Sequence, residues 1–175
     1  MTETSSWLPD AAPGATGLER VFGLRPDLYD PFRDFYSLFW TRGLVDPVVL
    51  ELCRLRVAQL VGNESEQRVR YRPALDAGLD EDQIAALPAW PHDPSFTGAQ
   101  RAALAFAEQF VMDPHGIDHE LRDQVADHFT VPGLVALCEV LALFEGFCRF
   151  RTILEVPAPP SVTIVAGPTP DTALA

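Results

Sequence analysis

The chain has 175 residues, 47% of them hydrophobic and 22% charged, proportions that fit one globular fold with tails and exclude a disordered, collagen-like or repeat-polymer chain. Its 25 acidic against 13 basic side chains give a formal net charge of -12, which repels a phosphate backbone and an anionic lipid surface alike, so neither nucleic acid nor membrane is an expected partner. Three cysteines, Cys53, Cys138 and Cys148, lie far apart inside apolar runs, which argues for small buried hydrophobes rather than a disulfide framework. Met1 to Pro13 has no basic region followed by an apolar stretch, and the longest apolar windows read as broken by charge before about 18 residues. The expected location is cytoplasmic.

Helices separated by Pro, Gly and Asp punctuation make the expected class all-α. Residues 1–15 read as a flexible N-terminal segment, 16–156 as the helical domain and 157–175 as a Pro-rich tail. Within the domain, an amphipathic stretch from Leu18 to Leu24 precedes a helix from Pro26 to Thr41 whose Phe32, Phe35, Tyr36 and Phe39 suit a core, with Gly43 ending it. Asp46 before Pro47 supplies an N-cap and a first-turn proline for an apolar helix to about Val61. Its polar exceptions, Glu51, Arg54, Arg56 and Gln59, read as a solvated stripe in which Glu51 and Arg54 pair at three-residue spacing.

Beyond Gly62 a helix is expected from Glu64 to Ala77, kinked or split at Pro73, and a short one from Glu81 to Leu87 capped by Asp80. Further helices are expected at Thr97 to Met112, His119 to Phe129 and, with Thr130 as its start signal, Pro132 to Val156. Val162 to Val165 reads as a mobile extended tail or as a short strand pairing with a neighbouring subunit. The last helix is apolar on more than one face, which implies burial against another copy.

One segment carries most of the chemical information. Glu51-Leu52-Cys53-Arg54-Leu55-Arg56-Val57-Ala58-Gln59-Leu60-Val61-Gly62-Asn63 runs on through Glu64-Ser65-Glu66-Gln67-Arg68-Val69-Arg70 to Ala74-Leu75-Asp76-Ala77-Gly78. Together with the helix motif from Phe96 to Glu108 and Leu121 to Phe129, it resembles the alkylhydroperoxidase D-like and carboxymuconolactone decarboxylase superfamily over about Leu44 to Val156. The resemblance implies an alkylhydroperoxidase D-like helical bundle, assembled as a homo-oligomeric trimer or hexamer.

Peroxidase members of that superfamily carry a C-x-x-C pair and, four residues on, a histidine, served by an upstream glutamate. Here the glutamate position falls on Glu51, the cysteine positions on Asn63 and Glu66, and the histidine position on Arg70. Disulfide exchange needs a thiolate and a resolving thiol, which Asn and Glu cannot replace. Decarboxylase-type members have E-x-x-x-H instead, which places Glu66 on the glutamate and again Arg70 on the histidine.

On a helix, positions 63, 66 and 70 project from one face. With Glu51 across the helix pair, as the resemblance implies, one pocket holds two carboxylates, a guanidinium and an amide. Such a pocket suits a small organic acid or lactone: Arg70 as anion anchor, Glu51 and Glu66 as acid and base, Asn63 with Arg70 binding substrate. The activity implied is that of a cofactor-independent, non-redox lyase or isomerase. The competing readings are an ordinary Glu66–Arg70 helix pair in a non-catalytic ligand-binding or assembly protein, and, third, a thiol peroxidase.

Elsewhere, His115, His119 and His128 lack metal-ligand spacing, so no metal and no cofactor are expected. Glu145 and Arg149 suit an interface pair, and Cys148 reads as packing rather than as a nucleophile.

Overall fold

Helix starts follow proline and short polar caps, as the sequence signals require. The computed structural model describes residues 21–167. Helix α1 (Pro26–Thr41) has Pro26 in its first turn, and α2 (Pro47–Leu60) opens with Asp46 accepting the Val48 N–H at 2.8 Å. Ten of the fourteen residues of α2 are buried, because it runs through the centre of the fold between α6 (Gly98–Met112) and α7 (His119–Ile153). A helix buried on most faces reads as apolar nearly all round, and α2 does so except at Glu51 and Arg54, which build the site, and at half-buried Arg56 and Gln59, where Arg56 pairs with Glu108 of α6. Leu50, Leu52, Leu55, Leu104, Leu137, Leu141 and Phe144 are essentially inaccessible and form the core with it.

After α2 the chain departs from the single helix expected over Glu64 to Ala77. One turn of helix, α3 (Glu64–Gln67), gives way to strand β1 (Val69–Tyr71) and then α4 (Arg72–Asp76). Pro73 explains the break. In a continuous helix its missing N–H would orphan the carbonyl of Val69. Instead that carbonyl accepts from Arg54 Nη2 at 2.6 Å and Arg70 Nη1 at 3.0 Å, while Pro73 occupies the first turn of α4.

Strand β1 pairs in parallel with β2 (Thr163–Val165), Arg70 opposite Ile164. The expectation of a mobile tail or a strand shared with a neighbour is therefore corrected: these residues pair within their own chain. Two short ladder strands leave the class all-α.

Helix α5 (Glu81–Ala86) is capped by Asp80, and α6 has a reciprocal Thr97–Gln100 capping box. The two helices expected at the C-terminal end meet at a kink at Thr130, whose φ of 66° and ψ of 169° fall in a region normally reserved for glycine, and together they form α7. The break turns Pro132 from an interior breaker into a first-turn residue of the second half. That half ends at Ile153, short of the expected Val156, with Glu155 at positive φ and the Val156 N–H closing on the Arg151 carbonyl at 3.0 Å. An 18-residue stretch of α7 reaches a mean hydropathy of 1.8, and Glu139 and Glu145 interrupt the apolar run of this helix, as expected. Its apolar side packs through Leu137, Val140, Leu141 and Phe144 into the core. Residues 18–20 of the first amphipathic stretch and the N-terminal segment lie outside the described residues; Val21 packs on Val156.

Candidate active site

Glu51 and Arg54 do pair at three-residue spacing on α2, but not in a solvated stripe: they are 0% and 2% exposed. The guanidinium meets the Glu51 carboxylate fork to fork, Nε to Oε2 at 2.8 Å and Nη2 to Oε1 at 2.7 Å. Nη1 donates to Glu66 Oε2 at 2.6 Å and to the Glu66 carbonyl at 3.0 Å, and Nη2 also reaches the Val69 carbonyl. All five N–H groups of Arg54 are thereby spent. The Tyr71 N–H donates to Glu51 Oε1 at 3.0 Å, and the Tyr71 ring lies 4.7 Å from the guanidinium carbon. Burial acts to lower the Arg54 pKa, but Glu51 and then Glu66 outweigh it and hold the guanidinium well above its ordinary range.

The second oxygen of Glu66 contacts Arg151 Nε at 2.6 Å, and Arg151 Nη1 donates to Ser65 Oγ at 2.7 Å. Two carboxylates and two guanidiniums thus alternate, Glu51–Arg54–Glu66–Arg151, with no net charge. Alternation is what makes their joint burial tolerable, since any one member alone would keep an unpaired charge away from water. Around them stand Tyr36, Trp40 and Tyr71, with Trp40 and Tyr71 rings 4.8 Å apart. Burial, followed by the negative charge of Glu66, pushes the Tyr71 phenol up to about 12. Burial and then Tyr71 push Tyr36 well above its usual range. The Tyr36 hydroxyl lies towards Tyr71 without a well-formed hydrogen bond, and the Trp40 Nε1 proton has no acceptor among the described residues.

Of the residues singled out from sequence, Glu51 and Glu66 meet through Arg54, and Asn63 stands beside them. Asn63 caps α3 by accepting the Glu66 N–H at 2.9 Å, and its amide donates to the Cys148 carbonyl at 2.9 Å. Arg70 does not join them, which corrects the single-face stripe of 63, 66 and 70. That stripe needed a helix reaching residue 70, whereas the chain is extended from Val69, where successive side chains point to opposite sides. Arg70 turns to Glu81, 2.9 and 3.2 Å away, and to the Gln67 and Val69 carbonyls.

Its expected place as the cation beside Glu66 is taken by Arg54 and Arg151. Arg151 was not legible as a site residue; the available signal was a second cation, two residues after Arg149, with no acidic residue at i−4 or i−3 to pair with it. Glu145 and Arg149 form an i,i+4 pair at the surface, with the Arg149 side chain 65% exposed.

No thiol approaches the peroxidase arrangement. Burial pushes Cys53 and Cys148 up to about 12 and raises the half-buried Cys138, so all three are neutral thiols near pH 7. Among the described residues no three His, Cys, Asp or Glu side chains converge as a metal site. Beside the charged centre, a cleft of about 320 Å³ open to solvent is lined by Asn63, Ser65, Arg151 and Thr152, with Glu64 and Glu155 also on its walls.

The sequence pattern of the carboxymuconolactone decarboxylase family matches residues 26–109, which include Glu51, Arg54, Asn63, Glu66 and Arg70. The fold agrees: ATU0492 of Agrobacterium tumefaciens, a protein of unknown function and candidate AhpD-type antioxidant defence protein, superposes with a TM-score of 0.67 over 79% of this chain and 95% of its own, at 16% identity. Over residues 26–109 the chain is similar to the carboxymuconolactone decarboxylase family, and its fold is AhpD-like.

A similar fold is that of the debrominase Bmp8. Its complex with 2,3,4-tribromopyrrole, formed by a cysteine-to-alanine variant, has a TM-score of 0.70 at 16% identity, covering 82% of each chain, and its apo form 0.71 at 17%, covering 82% of this chain and 77% of that one. At these identities the likeness concerns the fold. The uncharacterized protein YnjA of Escherichia coli K12 is 29% identical over 117 residues, 67% of this chain. The matched region spans 64% of YnjA's length.

Proposed function

We propose that this protein is a cofactor-independent, non-redox enzyme, a lyase or isomerase acting on a small carboxylate or lactone, with Glu66 moving the proton. The observation that carries this reading is the ion-paired centre at the position where peroxidase members carry sulfur: Glu66 is suspended between Arg54 and Arg151, and Arg151 also lines the open cleft. Glu51, wholly buried and held fork to fork by Arg54, is better suited to positioning that cation than to meeting substrate. Glu66 as base takes a proton from the carbon next to a carboxyl or lactone carbonyl. The Arg151 guanidinium offsets the charge that develops on that carbonyl oxygen, and protonated Glu66 returns the proton at the same or another carbon. No thiol takes part, in keeping with three neutral cysteines.

Deuterium exchange tests this without knowledge of the product. A panel of small carboxylates and lactones is incubated with the protein in D2O and followed by proton NMR. At least one compound is expected to lose carbon-bound protons or turn over, with Glu66→Gln reducing the rate about 100-fold or more. Equal activity in Glu66→Gln, or none with any compound, contradicts the proposal.

The second outcome would favour a non-catalytic ligand-binding or assembly protein, a reading supported by the complete occupation of the Arg54 donors and the inaccessibility of Glu51. Self-association is part of the proposal under either reading. Leu28, Phe35 and Leu38 are exposed along α1, and Leu44, Val131 and Val135 are exposed elsewhere on the surface.

A further inference from the structure

Arg54 and Arg151 are both buried guanidiniums in the same centre, yet they are used unequally. Arg54 bridges two carboxylates and two carbonyls with all five of its N–H groups. Arg151, only 6% exposed, contacts one carboxylate through Nε and one hydroxyl through Nη1. Nε meets Glu66 as an ion pair without hydrogen-bond geometry, so four of the five N–H groups, including both on Nη2, make no hydrogen bond among the described residues. Ser65 Oγ accepts from Arg151, which leaves its own hydroxyl proton to donate. Both side chains line the 320 Å³ cleft.

From this asymmetry we propose that the cleft over Arg151 and Ser65 is a binding site for a small monocarboxylate, which completes on Arg151 the two-carboxylate bridge that Arg54 already makes. The proposal names the substrate class of the site proposed above and so rests on that reading for its catalytic meaning, though binding itself does not. Three features select the ligand. The unspent groups on the floor are donors, so an oxygen acceptor is required, and a planar carboxylate matches the guanidinium fork. The four-membered centre is already neutral, so a bound monocarboxylate adds one uncompensated negative charge and a dicarboxylate adds two. Glu64 and Glu155 on the walls penalise a second carboxylate on the ligand. A ligand seated there shares one cation with Glu66, which puts the proposed base beside its substrate.

The test is titration of the full-length protein with propionate, its neutral isostere propionamide, and succinate, followed by thermal shift and by the amide NMR signals of Ser65 and Thr152. Propionate is expected to saturate both signals, with succinate and propionamide at least tenfold weaker. Ala158 also lines the cleft and belongs to no ion pair; Ala158→Trp fills that wall and is expected to weaken propionate tenfold or more, whereas Arg70→Gln leaves it unchanged. Arg151→Lys keeps a cation for Glu66 but loses the fork, and is expected to weaken binding while remaining folded.

An absent or non-saturating response to propionate overturns the proposal. So does equal binding of propionamide, or binding insensitive to Ala158→Trp. Saturable propionate binding with no deuterium exchange on any compound would sink the catalytic reading and leave this site standing. Exchange unaffected by Ala158→Trp and Arg151→Lys would do the reverse.

Discussion

Arg54 and Arg70 are 16 residues apart in sequence, nearly equally buried, and each is bound to a glutamate through two nitrogens and to backbone carbonyls. They differ in the far end of the pair. The partners of Arg54 are as inaccessible as it is, whereas the Glu81 side chain that holds Arg70 is 61% exposed. A charge left behind by mutation at the first pair has no water to turn to; at the second it has bulk solvent. Similar hydrogen-bond counts, five and four, therefore describe a structural centre in one place and a surface tether in the other.

The comparison breaks most readily at Arg54. Arg54→Met leaves Glu51 buried without a cation and Glu66 with Arg151 alone, and is expected to cost about 3–5 kcal/mol in urea unfolding. A loss below about 1 kcal/mol would mean that water reaches Glu51 and Glu66. Alkali probes the dryness of the same region. Cys53 and Cys148 have ordinary thiol values near 9.0 and folded values of about 12, so the folded state holds their protons more tightly. Their contribution is full below about pH 9 and is lost as pH rises towards 12, so unfolding midpoints should fall across that window. Cys53→Ala should flatten the fall, and iodoacetamide at pH 8 should label Cys138 ahead of the other two.

Thr130, remote from both pairs, calibrates the scale. Thr130→Gly removes a positive-φ strain and should raise stability by about 1 kcal/mol. Glu81→Gln is expected to cost up to about 1 kcal/mol, and the cost should shrink in 1 M NaCl while that of Arg54→Met persists.

The helices were largely legible because caps and prolines act locally: Asp46-Pro47, Asp80 and Thr97 each start a helix as their chemistry requires. Strand β1 was not, because what stabilises it is the distant Thr163–Val165 segment and the Arg54 donor on the Val69 carbonyl. The same long-range dependence governs the site. Glu51 and Glu66 were readable as a pair of carboxylates, and Glu51–Arg54 as neighbours, but whether such a pair is solvated or central depends on what packs over it. Arg70 was misplaced with the strand. Arg151 reaches Glu66 from a helix 85 residues later in the chain, a relation that no local spacing encodes.

If an ion-paired carboxylate centre has displaced thiol chemistry from this fold, the protein should leave peroxides untouched. The most direct measurement is consumption of hydrogen peroxide and an organic hydroperoxide in the presence of a dithiol reductant, comparing wild type with the Cys53→Ser, Cys138→Ser, Cys148→Ser triple variant. Rates for the two proteins should be indistinguishable and at the background of the reductant alone. Catalytic peroxide turnover by the wild type that the triple variant loses would contradict the displacement of thiol chemistry.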